Sequence, residues 1–65
     1  MSTVNYFHWH DGVEYDAASA TWRGYIEDND YTDKRFAEGT YEDKGDAVVA
    51  AGKMLAEARR GELAG

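Results

Sequence analysis

The chain has 65 residues, with 13 acidic against seven basic side chains and a formal net charge of −6 at pH 7. This length predicts a single small domain, residues 1–65, near the size at which one core becomes marginal. The absence of cysteine excludes disulfides and thiolate–metal sites. No apolar run approaches the ~20 residues of a membrane span, and the N-terminus lacks the pattern of a secretory signal. The sequence therefore predicts a cytoplasmic protein whose core depends on its nine aromatic residues.

The acidity is unevenly distributed along the sequence. Residues 1–33 hold seven acids and one base, whereas residues 34–65 hold six of each. Such segregation is more than solubility requires, and an acidic surface repels nucleic acid and attracts basic partners. The acids of the first half are Asp11, Glu14, Asp16, Glu27, Asp28, Asp30 and Asp33. We expect them to contact a basic partner.

Residues 4–10 alternate in polarity and are rich in aromatics, which predicts a strand with Phe7 and Trp9 on the core side. Asp11-Gly12 has the composition of a two-residue type I′ turn. A short returning strand is then predicted at residues 13–16.

Two further strands are predicted at residues 20–27 and 34–41. Trp22 and Ile26 share one face of the first, and Gly24 between them indicates a bulge or a close approach by an aromatic neighbour. In the second, apolar residues fall on both faces, and Gly39 is a candidate for the bulge that reconciles them.

The most regular segment is residues 43–60, which we predict to be a helix. Val48, Ala51, Leu55 and Ala58 recur at helical spacing, and Ala47 and Met54 widen the stripe. Asp43 is a favourable N-cap and Gly61 a favourable C′ residue.

Together these elements predict an α+β fold, a three- to four-stranded antiparallel sheet with one C-terminal helix packed on one face. The predicted core is Phe7, Trp9, Trp22, Ile26, Phe36, Val48, Ala51, Met54, Leu55 and Ala58.

Motifs for catalysis or cofactors are absent from the sequence, so we expect neither enzymatic activity nor a cofactor. His8 and His10 have the spacing of a metal pair on one strand face, but no third histidine or cysteine completes a tetrahedral site. Asp28 and Asp30 resemble the start of a calcium loop, but Asp33 replaces its glycine. Polar surface residues explain both patterns, and we expect no metal.

Three tyrosines are predicted on the sheet face away from the helix or in its turns: Tyr6, Tyr25 and Tyr31. Tyrosine among acids is typical of protein-binding surfaces. The same residues could instead only shield the open face of a thin sheet. We include all three among the expected partner-binding residues.

The order of three strands and a helix, with Trp22-Arg23-Gly24-Tyr25-Ile26 and Glu38-Gly39-Thr40-Tyr41, resembles the three-stranded DNA-binding domains of a class of plant transcription factors and of phage integrase arms. The resemblance covers roughly residues 21–58 and implies a shared fold. Those domains contact DNA through basic strands, whereas these strands are acidic, which argues against DNA binding.

In size, acidity, aromatic content and lack of catalytic motifs, the whole chain also resembles small acidic anti-CRISPR proteins of phages and mobile elements. The resemblance is to inhibitors of type I systems, in particular of type I-C. The resemblance implies a monomeric, non-enzymatic DNA mimic that blocks target-DNA binding by a CRISPR surveillance complex in the bacterial cytosol. The alternative is a generic small acidic interaction module for another basic partner.

Overall fold

The computed structural model describes residues 4–61. A 3₁₀ turn, Tyr6–His8, precedes strands β1 (Trp9–Asp16), β2 (Thr21–Asp28) and β3 (Lys34–Phe36), and helix α1 (Lys44–Arg59) follows. The three strands form one antiparallel sheet in the order β1-β2-β3. The helix lies on one face of β1 and β2. The predicted α+β class is confirmed. No helix within the described residues is long and apolar enough to cross a bilayer.

The hairpin predicted at Asp11-Gly12 is wrong, because β1 runs through both residues without turning. Gly12 pairs with Tyr25 in the centre of the β1–β2 ladder. A Cβ at Gly12 would lie 2.6 Å from the tip of the Tyr25 ring. Glycine here leaves room for the neighbouring ring and does not form a turn. The predicted strand at 13–16 is the second half of β1.

The β1–β2 turn lies at residues 17–20. The Asp16 side chain accepts a hydrogen bond from the Ala18 N–H at 3.0 Å, which starts the turn in the way typical of aspartate. Ala20 completes it with a φ of 56°. An alanine in this left-handed region is unusual, so composition gave little sign of the turn.

The first half of the predicted strand 4–10 is a 3₁₀ turn instead. The Asn5 side chain caps it by accepting from the Phe7 N–H. The three-residue period brings Tyr6 and Trp9 to the same side, with ring centroids 5.0 Å apart. Tyr6 is therefore buried, whereas Phe7 is 72% exposed. The predictions that Phe7 lies in the core and Tyr6 on the surface are both wrong.

Strand β3 ends earlier than predicted and is followed by a bulged extension. Phe36 pairs with Tyr25, and Tyr41 next pairs with Trp22 as an isolated bridge. Two extra residues are accommodated between these pairs, and Gly39 there has a φ of 85°. The bulge expected at Gly39 is present.

The helix begins after Asp43, whose side chain accepts from the Gly45 N–H at 2.8 Å, and Gly61 follows it with a φ of 87°. Its buried residues are Ala47, Ala51, Leu55 and Ala58. Val48 is 47% exposed, so its prediction as a core residue is wrong. The buried stripe begins at Ala47 and Ala51, which lie close over Gly24. The neighbour that approaches Gly24 is therefore the helix, and the aromatic neighbour predicted for this position is wrong. An added Cβ at Gly24 would meet the Ala47 carbonyl oxygen at 2.7 Å.

The main cluster of buried side chains gathers toward the C-terminal part of α1. It contains Tyr6, Trp9, Ile26, Leu55 and Ala58, with Met54 packed against it. Arg59 connects the helix to this end of the chain by donating to the carbonyls of Tyr6 and Trp9, both at 3.1 Å. Trp22 and Phe36, expected in the core, are half-buried.

Gly24→Ala should destabilise the protein, by about 1–3 kcal/mol, because the new methyl would meet helix backbone that cannot yield independently. Gly52→Ala is the matched control. Its Cβ would meet Asp11 Oδ2 at 3.5 Å, an ordinary contact, and alanine favours the helix by about 0.5–1 kcal/mol. Urea unfolding of both variants checks the expectation; equal stabilities would show that the Gly24 contact does not limit the packing.

Leu55→Ala should cost about 2–5 kcal/mol in the same unfolding measurement, because Leu55 is only 7% exposed and sits within the buried cluster. Val49→Ala on the outer face of the same helix is the control. Val49 is 68% exposed, and we expect a change within about 0.5 kcal/mol. A similarly small loss at Leu55 would contradict the described core.

Candidate partner-binding surfaces

The sheet separates the expected partner-binding residues into different surfaces. Cross-strand pairing places Glu14, Tyr25 and Glu27 on the face away from the helix, whereas Asp11 has the parity of the helix face. Asp28, Asp30, Tyr31 and Asp33 lie in or beside the β2–β3 turn. Asp16 begins the β1–β2 turn at the opposite end of β2. The acids adjacent in sequence thus do not form one continuous patch.

On the open face, Lys34 offsets the charge of Glu14. Its Nζ donates to Glu14 Oε1 at 2.8 Å and lies 4.1 Å from the centroid of the Tyr25 ring. The hydrogen bond with Glu14 raises the pKa of Lys34 above its usual value, against a smaller opposing effect of burial. Both partners remain partly exposed, so this ion pair contributes little to stability. Its main consequence is to reduce the negative potential around Glu14.

Aromatic rings and cations cover the remainder of the open face. Arg23 lies 3.9 Å above the Phe36 ring centroid, and Phe36 contacts Tyr25 edge to face. Tyr25 is half-buried by this arrangement. Its ring therefore covers the sheet. Less of the Tyr25 side chain is exposed to a partner than in an isolated surface tyrosine.

His10 joins the open face to the β2–β3 turn. Its Nδ1 is 2.8 Å from Asn29 Oδ1, and its Nε2 is 3.5 Å from Glu27 Oε1. The ring also packs edge-on against Tyr31. His8 lies in the preceding 3₁₀ turn and not on the strand, which breaks the predicted His-x-His geometry. Within residues 4–61, no group of three or more histidine and carboxylate side chains is placed to hold a metal ion.

The β2–β3 turn uses some of its acids to hold its own shape. Asp28 Oδ1 accepts from the Asp30 N–H at 2.7 Å, and Asp33 lies 3.6 Å from an Arg35 guanidinium nitrogen. Tyr31 occupies the left-handed region, with a φ of 58°, and is 74% exposed. Of the three expected tyrosines, Tyr31 is the one whose side chain is largely exposed.

Tyr6 is unsuited to the surface role predicted for it. It is 3% exposed, and its hydroxyl accepts a hydrogen bond from Arg35 Nη1 at 2.7 Å. This contact ties β3 to the 3₁₀ turn. Tyr6 is a core residue with a satisfied polar tip, an arrangement typical of buried tyrosine.

A more continuous acidic surface lies at the N-terminal end of the helix, and sequence reasoning missed most of it. We call it the acidic end and define it as residues 16–20 and 38–46. These segments meet because Tyr41 pairs with Trp22 beside the β1–β2 turn. They hold five exposed acids and one base, Lys44. The acids are Asp16, Glu38, Glu42, Asp43 and Asp46.

Counting charge by sequence halves concealed this surface. Residues 34–65 are neutral in sum, but four of their six acids precede or begin α1, whereas Lys53, Arg59 and Arg60 lie farther along the sequence. At 1.5 Å per residue, Asp46 lies about 20 Å from Arg59 along the axis but only about 10 Å from Lys53. Physiological salt screens charge over ~8 Å, so Arg59 has little effect on Asp46, whereas Lys53 lines the same groove. The acids clustered from residue 38 to 46 were the available sequence signal.

Comparison with known proteins gives no assignment, since no family model, curated protein or solved structure matches the chain significantly.

Proposed function

We propose that this chain is a non-enzymatic binding protein that occupies a basic, nucleic-acid-binding surface on another protein and competes there with DNA. The observation that carries the proposal is the acidic end, where five exposed carboxylates come from two turns and the first helical turn. Lys44 lies within this surface, and Lys53 lines the groove beside Glu38 and Asp46. Desolvated phosphate sites lined by lysine and arginine accept carboxylates by the same charge-assisted hydrogen bonds. The resemblance to anti-CRISPR proteins makes a type I CRISPR surveillance complex the first partner to test.

The local contacts of these acids support this role. Asp16 and Asp43 each use one oxygen to cap a turn or the helix, which fixes the direction of the carboxylate. Glu38, Glu42 and Asp46 are exposed, without an ion pair among the described residues. A surface of this kind combines fixed and adjustable carboxylates. Long-range attraction would accelerate its association with a basic groove.

The proposed role predicts a location-specific effect of charge reversal. Glu38→Lys with Glu42→Lys should reduce competition with target DNA at least tenfold, measured on a purified type I surveillance complex. The parent protein should also associate with the complex more slowly as salt concentration rises, because salt screens the attraction. Reversing Glu14, Asp16 or Asp28 is less informative, because these side chains bond to Lys34, Ala18 and Asp30 within the fold.

Asp30→Lys with Asp33→Lys is the matched control at the β2–β3 turn. It removes one ion pair, Asp33 with Arg35 at 3.6 Å, and a pair between side chains this exposed contributes little to stability. Both double variants change the net charge from −6 to −2, and each should melt near the parent protein, which a thermal scan verifies. Equal inhibition by the two folded variants would show that the acidic end is not the binding surface. If the parent protein binds no surveillance complex, the partner is wrong, and a generic acidic module for another basic protein becomes the better description.

A further inference from the structure

The hydrogen-bonding direction of β2 can be determined residue by residue. Trp22 exchanges both backbone hydrogen bonds with Tyr41, the Gly24 carbonyl accepts from Ala37, and the Asp28 N–H donates to Asp33. Even-numbered residues of β2 therefore bond toward β3. Because bonding alternates along an antiparallel strand, the odd-numbered residues bond toward β1. The bond from Asn29 N–H to the His8 carbonyl agrees with this alternation.

The same alternation identifies the backbone groups at the outer edge of β1. Residues 10, 12, 14 and 16 bond to β2, so residues 9, 11, 13 and 15 direct their N–H and C=O groups outward. The Trp9 carbonyl accepts from Arg59 Nη2. Among residues 4–61, no backbone partner lies beyond β1 for Asp11, Val13 or Tyr15. Three consecutive outward residues thus form an open edge.

An apolar groove adjoins this edge on the helix side. Its volume is about 230 Å³, and Val13, Val48 and Ala51 supply its apolar lining. Val48 is 47% exposed there, although it is a large aliphatic residue on the helix that packs against the sheet. The edge therefore has both the backbone groups and the apolar surface that a further strand requires.

We propose that β1 pairs antiparallel with β1 of a second copy of this chain, with Val13 on the two-fold axis. Val13 then faces Val13, and Asp11 of each copy faces Tyr15 of the other. All outward backbone groups of these three residues are paired in each copy. The two sheets become one of six strands, and the two Val48 side chains approach along the same face.

Charge and the Arg59 contact select this register over its neighbours. If the pair is centred on residue 11, Asp11 faces Asp11 of the other copy. A centre at residue 14 places Glu14 opposite Glu14, and a centre at residue 15 places Glu14 opposite Asp16. Centring it on Gly12 requires the Trp9 carbonyl, which Arg59 already occupies. The Val13-centred register places Gly12 opposite Glu14 and His10 opposite Asp16, so no acid faces an acid. Like charges directly opposite destabilise a sheet.

Net charge opposes this association, since each copy carries −6. The dimer should therefore strengthen with salt, up to about 1 M, where the screening length is ~3 Å. This is opposite to the salt dependence of binding to a basic partner. The two interactions can consequently be distinguished in one set of buffers.

Sedimentation of the parent protein tests the association, and single cysteines test the register. The apparent mass should rise from 7.3 kDa toward twice that value as protein and salt concentrations increase. The chain has no cysteine, so each introduced thiol is unique. Val13→Cys should form a disulfide-linked dimer under mild oxidation, because Cα atoms of a hydrogen-bonded pair are about 5.5 Å apart. Asp11→Cys mixed with Tyr15→Cys should give a linked heterodimer.

Val49→Cys is the control for random collision, because Val49 is 68% exposed and lies in the groove on the other flank of the helix. Linkage of Val13→Cys at least tenfold faster than Val49→Cys supports the proposal. A mass that stays at 7.3 kDa in all conditions, or equal linkage rates at positions 13 and 49, overturns it. Faster self-linkage at position 15 than at 13 overturns the register. A mass increase seen only with an added basic peptide reports binding to a basic partner instead of self-association, and it also overturns the proposal.

Discussion

The close approach of α1 to β2 at Gly24 is the constraint on which the rest of the structure depends. The helix backbone at Ala47 and the methyl of Ala51 occupy the space where a side chain of β2 would lie. A glycine facing alanines permits this distance, and larger residues would force the layers apart. This contact determines which helical face is buried, and it moves Val48 from the expected core to the rim beside β1. The exposed apolar groove is therefore a direct consequence of this packing.

The same contact divides the molecule into two unlike ends. Small residues hold the helix near Gly24, so the bulky side chains gather farther along it, around Tyr6, Trp9 and Leu55. There, Arg59 and Arg35 bond to backbone and hydroxyl groups of the 3₁₀ turn and β1. The N-terminal part of the helix packs through small residues. The segment that connects β3 to the helix, residues 37–43, can therefore hold acidic side chains on the surface. Asymmetric packing thus leads to asymmetric charge.

Contacts between strands change where the unbalanced negative charge lies in the folded chain. In sequence, the net charge of −6 belongs to residues 1–33. In the folded chain, Lys34 and Arg35 of β3 lie against Glu14 and Asp33 from that first half. The acids that keep the greatest influence on solvent are the exposed ones without an ion pair among the described residues, and Glu38, Glu42 and Asp46 come from the second half. The position of an acidic surface depends on how the strands and the helix pack together. It cannot be located from the distribution of charge along the sequence alone.

The sequence by itself determined the helix, its Asp43 cap, the strand character of residues 20–27 and the α+β class, because helical and strand periodicity and capping are local properties. It also indicated a bulge at Gly39 and a close approach at Gly24, but it expected an aromatic ring at Gly24, where the helix lies. It placed the first turn wrongly, since Asp11-Gly12 has turn composition, whereas the actual need for glycine arises from the Tyr25 ring on the next strand. Whether Tyr6 or Phe7 is buried depended on a 3₁₀ turn that switches the period from two to three. The acidic end and the open edge of β1 were decided by tertiary structure alone, because both depend on which strand lies beside which, and that pairing acts between residues distant in sequence.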